Sequence, residues 1–369
     1  AELISGLLAP SNSDLQLGAA SLLAALLQYP EFAELVESAD LLSPLLSALR
    51  GSKPELKKKA AVAILALTAS IEGRVQLREA GGLNDLLDVL LSSTPNTAQG
   101  AELWESITAV LANLCDDDGD DWWHVSQAGV VFSLAAQMGT SHGGLQEALL
   151  TLLAILCSHV ECRDQVIDAN AMPPLTRLLG SSKTNVQRCA LALTQQLCGS
   201  RKGCDSLLEV GAAVPLAALL SAPSSTDVEV AVAVLECLEA LSRSGMAQAQ
   251  SAVRNAGAVP HLIQLMSHQH ARIAHLASSL VADLCPGDVH NAEQLYESGG
   301  LVMLAEQLNS HDVRAQVQAL SALSQLSANP QQAGAIVENG CVTPILELLD
   351  HPSPELKSYA AITFANFCS

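Results

Sequence analysis

The chain repeats a short motif with a period of about 41 residues. Each copy has Gly, Asn or Asp at its third position, as in Glu79-Ala-Gly-Gly-Leu and Asn255-Ala-Gly-Ala-Val. These third positions, called anchors below, are Asp40, Gly81, Gly129, Asn170, Gly211, Gly257, Gly299 and Gly340, and they are 41, 48, 41, 41, 46, 42 and 41 residues apart. Repetition of a unit this size along the whole chain predicts an array of helical repeats.

The residue types at the anchors predict helix junctions. Gly, Asn and Asp adopt positive φ more readily than other residues, and a chain needs such a residue where one helix stops and another begins. An apolar pattern at helical spacing follows each anchor, for example at Leu83, Leu86 and Leu90. A polar turn and a longer helical segment then complete the repeat. We therefore predict an all-α fold.

Composition limits the function classes. The 18 Lys and Arg against 38 Asp and Glu give a net charge of −20, which repels phosphate backbones and favours a partner of basic character over nucleic acid. No run of about 18 apolar residues is present, so we expect no transmembrane segment. The chain is 49% hydrophobic but only 3% aromatic, a composition typical of closely packed helices of Ala, Leu, Val and Ile.

Catalytic signatures are missing from the sequence. It has no Gly-rich phosphate loop, nucleophile elbow, metalloprotease motif or kinase motif. Cys157, His159 and Cys162 have ligand-like spacing, but no second cluster follows them. The run from Asp116 to Asp121 resembles a calcium loop with Gly119 at the wrong place, so a solvated acidic loop is favoured. We expect a non-enzymatic protein without cofactor or metal.

Five of the ten cysteines fall at one place in the repeat, near the end of the longer helix: Cys115, Cys157, Cys198, Cys285 and Cys368. Repetition predicts that they are small buried apolar residues and not ligands or disulfide partners. Free thiols in this number are typical of a reducing compartment. We therefore expect a cytoplasmic protein, with a nuclear or cytoskeleton-associated location as the alternative.

The chain resembles the armadillo (ARM) repeat family. Val110-Leu-Ala-Asn-Leu-Cys and Ile362-Thr-Phe-Ala-Asn-Phe are similar to the ending of the family's third helix. The resemblance implies repeats of a short first helix, a second helix and a long third helix, stacked as a right-handed superhelical solenoid. We expect about eight repeats and a partial N-terminal one in a single domain over residues 1–369, and we keep open that this is a fragment of a longer chain.

The resemblance also implies a binding face. Armadillo proteins commonly bind extended peptides along the concave groove of their third helices, and many present an Asn near the end of each. Here Asn113 and Asn366 match that pattern, while Gln196 and Gln325 offer similar amides. No aromatic residue stands four positions earlier, where nuclear-import adaptors have Trp, and the acidic composition also disfavours a catenin-like basic groove.

Two sets of residues are candidates for partner contact. The groove candidates, taken from the Asn position or from helix phase, are Glu105, Asn113, Glu147, Arg188, Gln196, Glu236, His275, Asp283, Gln325 and Asn366. Trp122 and Trp123, directly after the acidic loop, are candidates for a hot spot at the edge of the groove. We predict a scaffold or adaptor that binds an extended or helical segment of a partner protein.

Two alternatives remain open for this function. The first is a chaperone-type module that holds a client or a heat-shock ATPase. The second is a regulatory, autoinhibitory domain within a larger polypeptide.

Overall fold

A computed structural model describes residues 6–8, 13–27, 41–117, 119–221, 227–245, 248–266, 268–284, 295, 297, 299–310, 312–328 and 330–368. This part of the chain is helical and contains no strand, which confirms the predicted all-α fold. The chain divides into two compact units, Ala1–Gln196 and Leu197–Ser369. One solenoid over residues 1–369 stays a prediction.

From Ile71 onward, the helices of the first unit follow an order of two short helices and one longer helix. They are α1 (Ser13–Leu26), α2 (Leu42–Arg50), α3 (Pro54–Leu67), α4 (Ile71–Glu79), α5 (Gly82–Ser92), α6 (Ala98–Cys115), α7 (Asp121–Gln127), α8 (Val130–Gln137), α9 (Gly143–Leu156), α10 (Val160–Asp168), α11 (Met172–Leu179) and α12 (Thr184–Cys198), whose last two residues belong to the second unit.

The second unit again includes, in its described part, two short helices before a longer one, as between Arg201 and Ser242. Its helices are α13 (Arg201–Glu209), α14 (Ala213–Ser221), α15 (Val228–Ser242), α16 (Ala249–Asn255), α17 (Ala258–Leu265), α18 (Ala271–Leu284), α19 (Gly300–Leu308), α20 (Val313–Leu326), α21 (Pro330–Glu338), α22 (Val342–Leu348) and α23 (Pro354–Phe367).

Seven anchors lie at helix junctions with positive φ, as their residue types predict. The φ angles are 69° at Gly81, 72° at Gly129, 57° at Asn170, 74° at Gly211, 78° at Gly257, 75° at Gly299 and 77° at Gly340. A Cβ at any of these glycines would meet no other atom within 4 Å. The glycines are therefore required by backbone conformation and not by lack of space. Asp40 lies outside the described residues.

Long helices of the first unit pack side by side in chain order, α1 on α3, α3 on α6 and α6 on α9. Their inner faces carry leucines and isoleucines that are fully buried, including Ile64, Leu111 and Leu153. Each such side chain stabilises the fold by about 1.5–3 kcal/mol through removal of apolar surface from water. Two of the groove candidates, Glu105 on α6 and Glu147 on α9, lie at other positions of these helices, where they are partly exposed.

The second unit is built in the same way. Here α15 packs on α18, α18 on α20 and α20 on α23. Leu235, Leu280 and Leu323 are fully buried at these contacts. The same apolar spacing therefore creates the same helix stacking in both units.

The cysteine prediction is correct for some positions and wrong for others. Cys115 and Cys157 are buried, as expected. Cys198 is partly exposed and Cys368 is exposed. Cys285 lies outside the described residues.

Within the described chain, no single helix is long and apolar enough to span a membrane. The pair Arg201–Glu209 and Ala213–Ser221 reaches the required length and composition only when taken together, and it is bent by 83°.

Candidate protein-binding groove

The groove candidates of the first unit lie on its long helices. Glu105 on α6 and Glu147 on α9 are both partly exposed, and Asn185 at the start of α12 donates from Nδ2 to Oε2 of Glu147 over 3.4 Å. Arg188, one turn further along α12, is exposed. Three successive long helices therefore present polar side chains on one face.

Glu105 is the most constrained of these residues. Its carboxylate lies against the backbone of α9, so that a Cβ at Gly144 would lie only 2.5 Å from Oε1 of Glu105. Burial raises the pKa of Glu105, the carboxylates of Glu102 and Glu147 raise it further, and His142 opposes them. Lys58 forms an ion pair with Glu102 but not with Glu105 in the described chain. Glu105 and Glu147 therefore leave a row of like charges at the groove.

The two asparagines that match the family pattern make bonds within the chain. Nδ2 of Asn113 donates to Oγ1 of Thr68 over 3.4 Å. Nδ2 of Asn366 donates to the carbonyl oxygen of Ser324 over 3.0 Å and to Oγ of Ser327 over 2.9 Å. These amides tie each third helix to the end of the preceding one, so their donors are engaged before any partner binds.

A cleft of about 550 Å³ opens beside the ends of α6, α9 and α12. Ile155 and Gln196, which hold the Asn position of their helices, line it together with Trp122. The groove and the tryptophan edge, two separate candidates in the sequence, therefore meet in one cleft. Its lining consists of Cys115, Asp116, Asp117, Gly119, Asp120, Trp122, Ala154, Ile155, Ser158, His159, Ala192, Gln195 and Gln196.

Two arginines of α4 hold the acidic loop that borders this cleft. Nε of Arg74 lies 3.0 Å and Nη2 of Arg78 lies 2.8 Å from Oδ2 of Asp117. Nε of Arg78 lies 2.6 Å from Oδ2 of Asp121, which is only 8% exposed. Burial raises the pKa of Asp117, but the hydrogen bonds from Arg78 and Arg74 outweigh it and lower that pKa overall.

The expectation of a fully solvated acidic loop is therefore wrong for Asp117 and Asp121. Their carboxylates are neutralised by α4, whereas Asp116 and Asp120 are exposed. Sequence reasoning missed Arg74 and Arg78. The available signal was their spacing, since each stands 43 residues before its aspartate, about one repeat.

Trp122 and Trp123 have different surroundings. The indole of Trp122 stacks on the imidazole of His159, with ring centroids 3.8 Å apart and planes 6° apart. Trp123 meets Trp122 edge to face at 5.7 Å and is 44% exposed. Trp122 thus belongs to the wall of the cleft, and Trp123 to the surface.

Acidic groove candidates of the second unit are paired within the chain. Glu236 forms an ion pair with Arg272. Oδ2 of Asp283 lies 2.6 Å from Nε of Arg243, although burial outweighs this pairing and raises the pKa of Asp283. This face is consequently less negative than its counterpart in the first unit.

Two further groove candidates of the second unit keep unsatisfied polar atoms. Nδ1 of His275 and Oε1 of Gln325 are buried without a hydrogen-bond partner among the described residues. Asn366 lines a second cleft, of about 460 Å³, beside α21.

No group of three or more His, Cys, Asp or Glu side chains in the described chain is arranged to hold a metal ion. His159, at the centre of the ligand-like Cys157 to Cys162 sequence, stacks on Trp122 instead.

Solved structures similar to this chain include engineered proteins and designed armadillo repeat proteins. An engineered protein covers 100% of this chain and 98% of its own, with a TM-score of 0.72 and 22% identity. Computationally designed armadillo repeat proteins for modular peptide recognition cover 64% of this chain and 99% of their own, with a TM-score of 0.58 and 22% identity. A designed armadillo repeat protein in complex with the peptide (KR)4 covers the same shares, with a TM-score of 0.56 and 22% identity.

Two family models match the sequence of this chain. The model of the armadillo/beta-catenin-like repeat matches residues 329–369, and no curated protein matches the chain. The model of the plant U-box protein ARM repeat region matches residues 2–270, most of the chain. The chain therefore belongs to the ARM repeat family described by the plant U-box protein ARM repeat region.

Proposed function

We propose that this chain is a non-enzymatic protein-interaction scaffold whose first unit binds an extended, basic segment of a partner protein. The binding surface is the face of α6, α9 and α12 that carries Glu105 and Glu147, together with the cleft beside Gln196. Carboxylates with perturbed pKa values cluster at functional sites, and charge complementarity between partners gives specificity.

The position of Glu105 carries the proposal. Its carboxylate is partly removed from water and lies near two other glutamates, so the charged form is disfavoured in the free protein. A Lys or Arg side chain placed between Glu105 and Glu147 would reverse this effect. In the free protein the carboxylates of Glu105 and Glu147 repel each other. A bound basic side chain would remove this repulsion, which would add to the binding energy of the segment.

Designed relatives support the choice of ligand. One set is described as made for modular peptide recognition, and one structure contains the peptide (KR)4, in which the letters denote Lys and Arg. At 22% identity, the similarity to these designed proteins shows a shared fold alone. The proposed preference of this chain for basic peptides rests on its own carboxylates.

The test is a fluorescence anisotropy titration of labelled (KR)4 with the full chain. We expect saturable binding that weakens about tenfold in the double variant Glu105→Gln and Glu147→Gln, as loss of two charge-assisted contacts predicts. The matched control is Asp88→Asn with Glu347→Gln, which removes two exposed charges on α5 and α22.

Equal weakening by the control and the groove variant would mean that net charge alone attracts the peptide, and it would refute the proposed groove. Binding of unfolded clients regardless of their charge would favour the chaperone-type alternative.

A further inference from the structure

One position of the repeat differs between neighbouring copies in the first unit. Trp122 precedes its anchor Gly129 by seven residues, as Arg74 precedes Gly81 and Arg163 precedes Asn170. Both arginines reach the end of the preceding third helix. Nη1 of Arg74 donates to the carbonyl oxygen of Thr68 over 3.1 Å.

In the later repeat, Nε of Arg163 donates to the carbonyl oxygen of Cys157 over 2.5 Å. A cation at this place compensates the partial negative charge at the C-terminal end of a helix. In the repeat that starts with α7, Trp122 stands at this position, and Arg78 reaches the end of α6 instead, where its Nη2 donates to the carbonyl oxygen of Leu114 over 3.1 Å.

The cleft lies beside Trp122 and the end of α6. Cys115 and Asp116, at the end of α6, line it, and so does Asp120. In the part of the chain that the structure describes, neither Asp116 nor Asp120 forms an ion pair, whereas Asp117 of the same loop binds both arginines of α4. The described lining contains no Lys or Arg. The cleft therefore contains two carboxylates that have no ion-pair partner among the described residues.

The flat wall of the cleft adds a second preference. Trp122 lines it as one half of the stack with His159. A planar guanidinium binds well on an aromatic face and can donate to two carboxylates at once, whereas an ammonium is a strongly hydrated point charge. Arg78 already shows this chemistry on the same loop, because it donates to Asp117 and to Asp121 simultaneously.

We propose that the cleft beside Trp122 is a subsite for one arginine side chain of the bound segment, with the guanidinium on the indole and its donors directed at Asp116 and Asp120. The proposal rests on the proposed function, since it names the residue of the basic segment that this unit selects. Gln196 at the rim offers an amide for the backbone of the same segment.

The experiment compares two labelled peptides, (KR)4 and octalysine, which carry equal charge. The variants are Trp122→Arg, Trp122→Phe and the pair Asp116→Asn with Asp120→Asn. We expect the wild type to prefer (KR)4 by about tenfold. Trp122→Arg should remove the preference, because its own guanidinium would take the place that Arg74 and Arg163 hold in their repeats.

The other variants separate the two parts of the subsite. Trp122→Phe should keep part of the preference, since it retains an aromatic face. The paired aspartate variant should lose the preference, while Asp88→Asn with Glu347→Gln, which removes the same charge outside the cleft, should keep it. Thermal unfolding shows whether each variant is folded. If Trp122→Arg does not fold, Trp122→Phe tests the role of the indole.

The outcomes distinguish this proposal from the one it rests on. If the wild type binds neither peptide, the proposed function fails. A second outcome is that the wild type binds both peptides and that substitution of Glu105 and Glu147 abolishes this binding. If the ratio of the two affinities is then the same in the wild type and in all Trp122 and aspartate variants, the arginine subsite is refuted and the basic groove stands.

Discussion

Nε of Arg78 lies 2.6 Å from Oδ2 of Asp121, although the two residues are 43 positions apart in the sequence. Nη2 of the same side chain also donates to the carbonyl oxygen of Leu114 over 3.1 Å, at the end of α6. One arginine thus fixes the start of α7 and the end of α6 together. The acidic loop between these helix ends borders the cleft.

Substitution of Arg78 by Ala should destabilise the fold by about 2 kcal/mol, because it leaves the buried carboxylate of Asp121 without its partner. Urea denaturation measures this change. Arg177→Ala is the control, since Arg177 is exposed on α11 and should alter the free energy of unfolding by less than about 0.5 kcal/mol. Equal effects of the two substitutions would show that the Arg78 pair does not stabilise the loop.

Two glycine substitutions should have opposite signs. Gly211→Ala places a Cβ at φ 74° and should cost about 1 kcal/mol. Gly334→Ala lies inside α21, where a Cβ would meet no atom within 4 Å, and should stabilise by roughly 0.5–1 kcal/mol. Thermal unfolding of both variants checks the anchor assignment. A Gly211→Ala protein as stable as the wild type would contradict it.

Neutralising Glu105 should stabilise the free protein at neutral pH. Its folded pKa lies above the ordinary value of 4.5, chiefly through burial, so the folded state holds a proton more tightly than the unfolded state. The charged form of Glu105 therefore destabilises the folded state. This destabilisation is fully present above the folded pKa of Glu105, and it disappears as the pH falls below 4.5. Glu105→Gln should therefore unfold at a higher temperature than the wild type at pH 7 and at the same temperature at low pH.

Glu347→Gln serves as the exposed control for this pH series, and its unfolding temperature should follow the wild type throughout. If Glu105→Gln is less stable than the wild type at pH 7, the carboxylate of Glu105 is favourably paired in solution. This result would contradict the partly buried carboxylate that lies near Glu102 and Glu147.

Affinity for (KR)4 should decrease as salt is added, because the groove carboxylates are partly exposed and are screened over a Debye length of about 8 Å at 0.15 M ionic strength. Titrations at several salt concentrations measure this dependence. Affinity that does not change with salt would point to apolar contacts and contradict an electrostatic groove.

Local residue types were sufficient to predict the helix junctions but not the cleft. Positive φ is a property of single residues, so Gly211 and Asn170 were identified from composition and spacing alone. The stack of Trp122 on His159 and the pairing of Arg78 with Asp121 depend on how consecutive repeats are superposed in space. A period in the sequence gives the order of repeats, but not which side chains meet across them.

We propose that a basic segment binds on α6, α9 and α12. Photo-crosslinking of (KR)4 carrying a benzophenone group to the full chain, followed by mass spectrometry, locates the bound peptide. We expect cross-links within residues 98–123, 143–159 and 184–196, and their loss when unlabelled (KR)4 competes. Competable cross-links confined to α5, α8 and α11 would place the peptide on other helices and refute the proposed groove.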